Sequence, residues 1–298
     1  RGNHGVAIHK TSSSSNVVAP TFVSDAPLGQ GVHYETQAIN TGGQTSIATD
    51  AQYVTLGVRP DLQFSSGVDF SIAYWIRIPL NYFGGDLPFF TDAVGSVGND
   101  GFVFAPAYGY GTADPNPIIT PEHYGGWAMS IFGGGVGVRY YGDLGSINDG
   151  NWYHLAHTVD RESGNIVTYL NGVVASTTKM DGTSIRDSGS IVTGRPATIG
   201  QDPTGAYGET GAGDMDDLGV WKKVLTPLEV AAIYTAARSN QLSFVNLPVS
   251  ISVQIIGGNQ LQLTWPSGTL QAADQAAGPY TDLPAATSPY AVSVGAAP

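Results

Sequence analysis

Residues 69–79, DFSIAYWIRIP, decide the fold class, because apolar side chains alternate along them with a period of two residues. A strand directs successive side chains to opposite faces, so this pattern predicts a strand with one buried face. That face carries Phe70, Ile72, Tyr74, Ile76 and Ile78. Trp75 falls on the opposite face, among small and charged residues.

Short apolar stretches of the same kind recur on both sides of this strand, from about residue 21 to residue 219. They are separated by Gly, Asn, Asp or Pro, and examples are AQYVTLGV, GWAMSIFG, GVGVRYYG and ATIGQ. Many short strands joined by turns are typical of a sandwich or jelly roll. The prediction is an all-β protein, a two-sheet antiparallel jelly-roll sandwich with one short helix.

Two local patterns are strong enough to place a hairpin and the helix. Asn171-Gly172, within YLNGVV, supplies the two positive φ angles of a type I′ turn. Thr226 precedes Pro227 and is followed three residues later by Glu229, which is the pattern of a capping box with proline at the first helical position. We expect a helix over residues 226–237, and the simplest role for so short a helix is to bury area against the sandwich.

The composition restricts the class of partner. The chain has 298 residues, 12% of them charged, and 12 Lys+Arg against 24 Asp+Glu give a net charge of −12. A chain with this negative charge cannot neutralise phosphates, and we therefore expect no nucleic-acid partner. We also expect no membrane span, because no apolar run approaches about 20 residues. Cysteine is absent, and the low charge and abundant glycine indicate a secreted, extracellular or cell-surface protein. The first residue is Arg1, which we interpret as the start of a processed, mature chain; an artificially trimmed chain would look the same.

The texture of the sequence divides the chain into three parts. Residues 1–15 contain a short apolar strand followed by a serine run, which we interpret as a strand on a flexible tether. Residues 16–238 form the jelly roll. Residues 240–298 alternate strongly, with turns at Gly257-Gly258 and at 266–268, and predict a small C-terminal β-sandwich-like module of four or five strands.

Three motifs in a fixed order carry a family resemblance. They are DFSIAYWIRIP (69–79), NWYHLAHTVDRESGNIVTYLNGVVAST (151–177) and GDMDDLGVWKKVLTPLEVAAIYTA (213–236). Together they resemble the laminin-G-like, concanavalin-A-like jelly roll of bacterial exported proteins. In that family the last strand carries an acidic pair and is followed by a short helix, and Asp216, Asp217 and Glu229 match those positions. The C-terminal residues are similar to small terminal β modules of secreted proteins.

Catalysis is not expected, although some jelly rolls of this architecture are glycosidases. Glycoside hydrolysis needs two carboxylates about 5–10 Å apart, usually on one strand face. The glutamates are dispersed along the chain and none lies in a Glu-x-Asp-x-Glu pattern; they are Glu35, Glu122, Glu162, Glu209 and Glu229. The prediction is a protein that is not an enzyme.

Calcium is the one cofactor that the sequence suggests. Ca²⁺ prefers six to eight oxygen ligands, several of them carboxylates, and domains of the resembled family often hold a calcium ion between loops. The best candidates are Asp25, Asp214, Asp216 and Asp217. Asp216 and Asp217 point to opposite faces of a regular strand, so a role in turn capping or hydrogen bonding stays open beside the metal site.

A Gly/Pro-rich stretch over residues 102–127 contains the candidate ligand-binding residues Tyr108, Tyr110, Tyr124 and Trp127. Aromatic rings in such a loop suit stacking against a sugar or a protein contact. The same rings would also serve to pack the loop on the sandwich. The first interpretation predicts a lectin-like adhesion module that binds an extracellular polysaccharide.

The N-terminal strand suggests a different function. Val6, Ala7, Ile8 and His9 are apolar or uncharged residues next to the serine run, and a strand of this kind can complete the sheet edge of another subunit. Head-to-tail exchange of that kind gives filaments. A subunit of a self-assembling surface polymer is therefore the first functional prediction, with polysaccharide binding as the alternative. Pairing of this strand within its own domain is the simpler possibility.

Overall fold

The computed structural model describes residues 5–40, 46–80, 85–95, 99–107, 125–182, 184–240, 242–243, 251–265, 269–275 and 278–293. The chain forms two compact units, unit 1 (Arg1–Val245) and unit 2 (Asn246–Pro298). The change in residue pattern predicts a boundary near residue 239, a few residues before the observed division between Val245 and Asn246.

Unit 1 is built almost entirely of strands. They are β1 (Val6–Thr11), β2 (Ser15–Val17), β3 (Thr21–Ala26), β4 (Gly29–Asn40), β5 (Ser46–Gly57), β6 (Phe70–Arg77), β7 (Phe90–Thr91), β8 (Gly101–Pro106), β9 (Trp127–Gly133), β10 (Val136–Tyr141), β11 (Tyr153–Val159), β12 (Ile166–Leu170), β13 (Val173–Val174), β14 (Thr178–Gly182), β15 (Ala197–Ile199) and β16 (Gly211–Trp221). A 3-10 helix, Pro60–Leu62, and one α-helix, α1 (Pro227–Asn240), complete the unit as described.

The strands fold over into two layers. Their hydrogen-bonded order is β13-β12-β11-β6-β16-β4-β5-β15-β7-β8-β9-β10-β14. Although β6 and β8 are far apart in this order, the rings of Tyr74 and Phe104 meet at 6.4 Å. Trp127 of β9 likewise meets His157 of β11 at 5.4 Å. These contacts cross the interior, so the predicted all-β jelly-roll sandwich is confirmed.

Strand β6 has the orientation that the alternation of its residues predicts. Phe70, Ile72, Tyr74, Ile76 and Ile78 are fully buried in the core between the layers. Burial of each such side chain contributes about 1.5–3 kcal/mol. The opposite face of β6, which carries Trp75, is turned away from that core.

The hairpin and the helix are confirmed. Asn171 and Gly172 have φ angles of 51° and 79°, and they connect Leu170 of β12 to Val173 of β13. At the start of α1 the Thr226 amide donates to Oε2 of Glu229 (2.8 Å), and the Glu229 amide donates to Oγ1 of Thr226 (3.2 Å). This reciprocal pair is the capping box that the sequence predicts.

Helix α1 covers the outer face of the sheet. Tyr234 stacks on Trp75, with ring centroids 5.6 Å apart, and lies 5.9 Å from His154 of β11. The Ser71 hydroxyl donates to the carbonyl of Lys223 (2.8 Å) and accepts from the amide of Leu225 (2.9 Å). The helix is therefore fixed over β6 and β11 on the side away from the core.

The prediction of a free N-terminal strand is corrected by the structure. β1 pairs antiparallel with β5 along its whole length, from Val6 opposite Thr55 to Thr11 opposite Asp50, and also pairs with β2. Ala7 is buried in the core. The serine run forms the turn between β1 and β2, where the Thr11 amide donates to the Ser14 carbonyl (2.8 Å). Residues 6–17 are part of the jelly roll because the edge of β5 is occupied by β1 of the same chain.

Unit 2 contains five short strands. They are β17 (Ser252–Gly257), β18 (Gln260–Thr264), β19 (Gln271–Ala272), β20 (Thr281–Asp282) and β21 (Tyr290–Ser293). β17, β18 and β21 form one sheet, while β19 and β20 form a separate ribbon. Trp265 and Leu270 are its buried hydrophobic residues among those described. The predicted turn lies one residue later: Gly257 ends β17 opposite Gln260, and Gly258 and Asn259, with φ angles of 57° and 59°, form the turn.

Candidate functional site

A cavity of about 380 Å³ opens on the outer face of the unit 1 sheet, beside the last turns of α1. It is lined by residues from four segments: Asp25, Ala26 and Pro27 at the β3–β4 turn, Trp75 of β6, Asn151 and Trp152 before β11, and Ala237 and Arg238 of α1. We call it the helix-side cleft. Asn151 and Arg238 are exposed at its rim, so the cleft is accessible from solvent.

Two indole rings border the helix-side cleft. Trp75 is 2% exposed and is held by Tyr234, whereas Trp152 is half-buried and has the Arg77 guanidinium 4.9 Å from its ring centroid. Neither indole Nε1 has a hydrogen-bond partner within the part of the chain that the structure describes. A buried N–H group without an acceptor costs free energy, and a ligand or a water that accepts from it would recover that cost.

Arg77 organises the charged groups next to the cleft. Its Nε donates to Asp214 of β16 (2.8 Å), and its two terminal nitrogens donate to Asp25 at 2.5 and 3.1 Å. Asp214 also lies 2.7 Å from Nδ1 of His33. The hydrogen bonds from Arg77 lower the pKa of Asp25. One guanidinium, that of Arg77, therefore binds both carboxylates.

The four candidate calcium ligands do not converge on a single site. Asp25 and Asp214 bind Arg77, while Oδ2 of Asp216 accepts the amide of Leu28 (2.7 Å). Asp217 has a φ of 46°, at a bulge in β16, and accepts from the hydroxyl of Ser243 (2.5 Å). Within the described residues no three acidic or histidine side chains form a metal-binding group. The calcium site therefore stays a prediction. In the structure the four aspartates accept hydrogen bonds from neighbouring groups, which is the alternative role.

The predicted aromatic platform is only partly described. Tyr108, Tyr110 and Tyr124 lie outside the described residues. Trp127 is 1% exposed, belongs to the core and packs edge-on against His157. Its interpretation as a ligand-binding ring is therefore wrong: Trp127 begins β9 and turns toward the interior, and so it packs the sandwich.

The family follows from the sequence match over this architecture. Residues 48–231, more than half of the chain, match the family model Laminin_G_3, the concanavalin A-like lectin/glucanases superfamily. The chain belongs to this superfamily. The matched segment contains β6, β11 and β16, each of which overlaps one of the three motifs of the resemblance, and it ends five residues before the third motif does.

Solved structures with low sequence identity resemble this superfamily member. The binding domain of Paraclostridial Mosquitocidal Protein 1 is 13% identical, with 95% of this chain and 68% of that chain covered and a TM-score of 0.46. The botulinum neurotoxin serotype G binding domain is 11% identical, at 91% and 63% coverage and a TM-score of 0.46. Domain 4 of AbnA, a GH43 extracellular arabinanase from Geobacillus stearothermophilus, in complex with arabinotriose, is 14% identical, at 76% and 86% coverage and a TM-score of 0.40.

These similarities concern the fold alone, and none of them bears on the ligand of this chain. The chain spans 63% of the length of the neurotoxin domain. No curated protein matches the sequence. Among the described residues, no helix has the length and apolar character needed to cross a membrane.

Of the residues of the helix-side cleft, the sequence pointed to Asp25 alone, and as a calcium ligand; the others were not identified as a site. Trp152 belongs to the NWYHLA motif, which indicates the fold, and Arg238 follows the predicted helix. One signal was available: Trp75 falls on the polar face of a strand whose other face is fully apolar. A large aromatic residue in that position indicates a second contact surface outside the core.

Strongly shifted pKa values in this superfamily member occur in its interior. Burial lowers the pKa of His154 and of His157 to about 3, so both are neutral. Burial raises the pKa of Asp92 to about 7, where the carboxyl meets the Phe102 amide and the Thr193 hydroxyl, each at 2.9 Å. All three side chains are 1% exposed or less, so these groups act on stability and are inaccessible to a substrate.

Proposed function

We propose that unit 1 is an extracellular, non-catalytic carbohydrate-binding module, and that the helix-side cleft holds the saccharide. The observation that carries this proposal is the half-buried Trp152 ring at a cleft with exposed Asp25, Asn151 and Arg238 around it. A sugar presents an apolar C–H face and a ring of hydroxyls. An aromatic wall and planar polar side chains complement these two features.

The charges around the cleft favour a neutral polysaccharide. Arg77 and Arg238 balance Asp25 and Asp214 in formal charge. Arg238 makes no hydrogen bond or ion pair to the described residues, so its guanidinium is available to sugar hydroxyls. The net charge of −12 would repel a polyanion at long range. A neutral glycan avoids that repulsion and can accept from Arg238 at the rim, whereas the Asn151 amide already donates to Asp149 (2.8 Å).

The proposal that the module is not an enzyme rests on the protonation of its carboxyls. A glycosidase needs one carboxylic acid with a raised pKa next to the bond it cleaves. The carboxylate at the cleft, Asp25, has its pKa lowered by Arg77. Asp92 has a raised pKa but is fully buried away from solvent. Burial also raises the pKa of half-buried Asp216, but this side chain accepts the Leu28 amide and does not line the cleft. None of the three carboxyls combines a raised pKa with a place in the cleft.

Substitution of Trp152 tests the site. We expect Trp152→Ala to weaken binding of the best neutral polysaccharide by at least about tenfold, because about 1.4 kcal/mol of stacking is lost. Asn151→Ala, an exposed change, should weaken binding without affecting the fold. Trp221→Ala is the matched control, since Trp221 does not line the cleft. Binding is measured by titration calorimetry after a glycan-array screen, with thermal melts for each variant.

The same measurements distinguish binding at the helix-side cleft from binding at the aromatic residues of the stretch 102–127. Full binding by Trp152→Ala and Asn151→Ala, with loss of binding in Tyr108→Ala or Tyr110→Ala, would place the saccharide on the loop instead. Titrations with Ca²⁺ and with a chelator test the predicted calcium site in the same samples. An ion at Asp25 and Asp214 would have to compete with Arg77.

Assembly into a polymer by exchange of β1 is not the function we propose. The strand predicted as donor is already paired with β5 in its own chain.

A further inference from the structure

β17 is an unprotected edge strand. Among the strands that the structure describes, none pairs with its outer edge, since β17 ends the order β17-β18-β21. All six of its residues are exposed, and Val253 and Ile255 are 58% and 79% exposed. The preceding Ile251 is 49% exposed. Such an edge presents unpaired backbone groups and apolar side chains together, which is the arrangement that recruits another strand.

The usual protection of an edge is missing from β17. Natural edge strands carry lysine, proline or inward-pointing charges. Residues 251–257, ISVQIIG, have no charged residue and no proline. A register irregularity occurs between Ile255 and Gly257, at the end next to the turn. The stretch from Ile251 to Ile255 therefore contains no charge, no proline and no register irregularity that would protect the edge.

The sheet also has one apolar face. Val253 pairs with Leu263 and Ile255 with Leu261 across β17 and β18. Leu261 continues to Val292, and Leu263 to Tyr290, on β21. Because directly opposed residues share a face, these six side chains lie on one side of the sheet. Three strands are the minimum for a stable sheet, so added strands would stabilise it.

We propose that two copies of this chain associate through β17, paired antiparallel with a twofold axis at Gln254. In this register Val253 lies opposite the partner's Ile255, and each Gln254 lies opposite its equivalent. The apolar faces of the two sheets then join into one face of six strands. The contact is isologous and closes as a dimer.

Charge and register favour a second copy of this chain over other partners at the β17 edge. Residues 246–298 contain no Lys, Arg, Glu or His, and Asp274 and Asp282 are their only charged residues. Copies can therefore meet through this unit without repulsion at the contact, although the chain carries −12 overall. The alternation about Gln254 is self-complementary, because it brings apolar residues opposite apolar residues. A dimer would also present two unit 1 modules to one polysaccharide and increase avidity.

The oligomeric state of the full chain tests the contact. Light scattering with size-exclusion chromatography should give a dimer for the wild type and a monomer for Ile255→Lys, whose site is 79% exposed and tolerates the change. Val292→Lys is the control, on the same apolar face but on the opposite edge strand. It should remain a dimer. A wild type that is monomeric at high concentration, growth beyond the dimer, or loss of the dimer in Val292→Lys would each overturn the proposal.

A crosslink tests the register. The chain has no cysteine, so a single introduced thiol can react only with its equivalent in another copy. Directly opposed antiparallel residues have Cα atoms about 4.5–5.5 Å apart, within the range of a disulfide. Under mild oxidation we expect Gln254→Cys to form covalent dimers rapidly and Ser252→Cys to form few. Equal crosslinking of both variants, or none with Gln254→Cys, would contradict the twofold at Gln254.

Discussion

At the scale of single residues, the unit 1 sandwich contains polar side chains whose charge is set by burial. His157 is held between the Tyr74 hydroxyl (3.1 Å) and the Thr168 hydroxyl (2.9 Å), and its pKa of about 3 keeps it neutral. Asp92 has the opposite shift, to about 7. Both shifts disfavour the charged form in a medium of low dielectric constant. They make the stability of the fold depend on pH in two opposite directions.

Asp92 gives the first stability prediction. Its folded pKa lies above its unfolded value of 3.8, so its contribution is present below pH 4 and is lost as the pH rises toward about 7. Asp92→Asn removes this dependence. Relative to the wild type, the variant should gain stability between pH 4 and 8, by at most about 4 kcal/mol at 1.36 kcal/mol per pKa unit. Urea denaturation at several pH values measures the difference.

The contributions of His154 and His157 to stability are the same in the wild type and in Asp92→Asn, so they cancel in the difference between the two. His154 and His157 have lowered pKa values, so their contribution is present above pH 6.5 and is lost as the pH falls toward 3 in both proteins. A constant difference between wild type and Asp92→Asn from pH 4 to 8 would show that Asp92 titrates normally in the fold.

At the scale of elements, α1 connects the fold to the helix-side cleft. Its start is fixed by the Thr226–Glu229 capping box, and Lys223 adds an ion pair to Glu229. Its last turns supply Arg238 to the cleft, while Tyr234 holds Trp75 from the same side. The helix therefore has a structural role and positions one wall of the proposed binding site.

Removal of the cap should destabilise unit 1 by a small, defined amount. We expect Thr226→Ala to cost about 1 kcal/mol, which lowers Tm by roughly 2–4 °C for a domain of this size. Leu228→Ala in the same helix is the control, because Leu228 is 83% exposed and should change stability by less than about 0.5 kcal/mol. Thermal melts followed by circular dichroism suffice, and equal effects of the two changes would argue against a stabilising cap.

At the scale of the whole molecule, the terminal strand belongs to the core of unit 1. β1 contributes Ala7 to the core, His9 pairs with Asp50 at 3.0 Å, and Lys10 donates to the Thr204 carbonyl. These contacts are all within one chain. β1 is therefore a stabilising element, and any self-association uses another surface.

Deletion of residues 1–11 distinguishes the two roles of β1. We expect Tm to fall by several degrees, since a six-residue ladder and buried apolar area are lost while the edge of β5 becomes exposed. The oligomeric state should stay that of the full chain. An unchanged Tm together with dissociation of oligomers would restore β1 to the intersubunit role first predicted from the sequence.

The sequence by itself determined the features that depend on neighbouring residues. The period-two pattern of 70–78, the Asn171-Gly172 turn and the capping box each extend over nine residues or fewer, so their geometry follows from local stereochemistry. The three motifs in order also placed the chain in its superfamily. These features fix the strand class, the hairpin and the helix.

Only the tertiary structure decided which distant residues meet. Asp25 and Asp214 are 189 positions apart, and both bind Arg77 because β3, β4, β16 and β6 are adjacent in the sheet. Trp127 is buried, and Trp152 borders a cleft, for the same kind of reason. Strand order sets these environments, and a local pattern has no information about the partner strand. The edge of β5 is likewise filled by β1, through pairing between residues 39 to 49 positions apart.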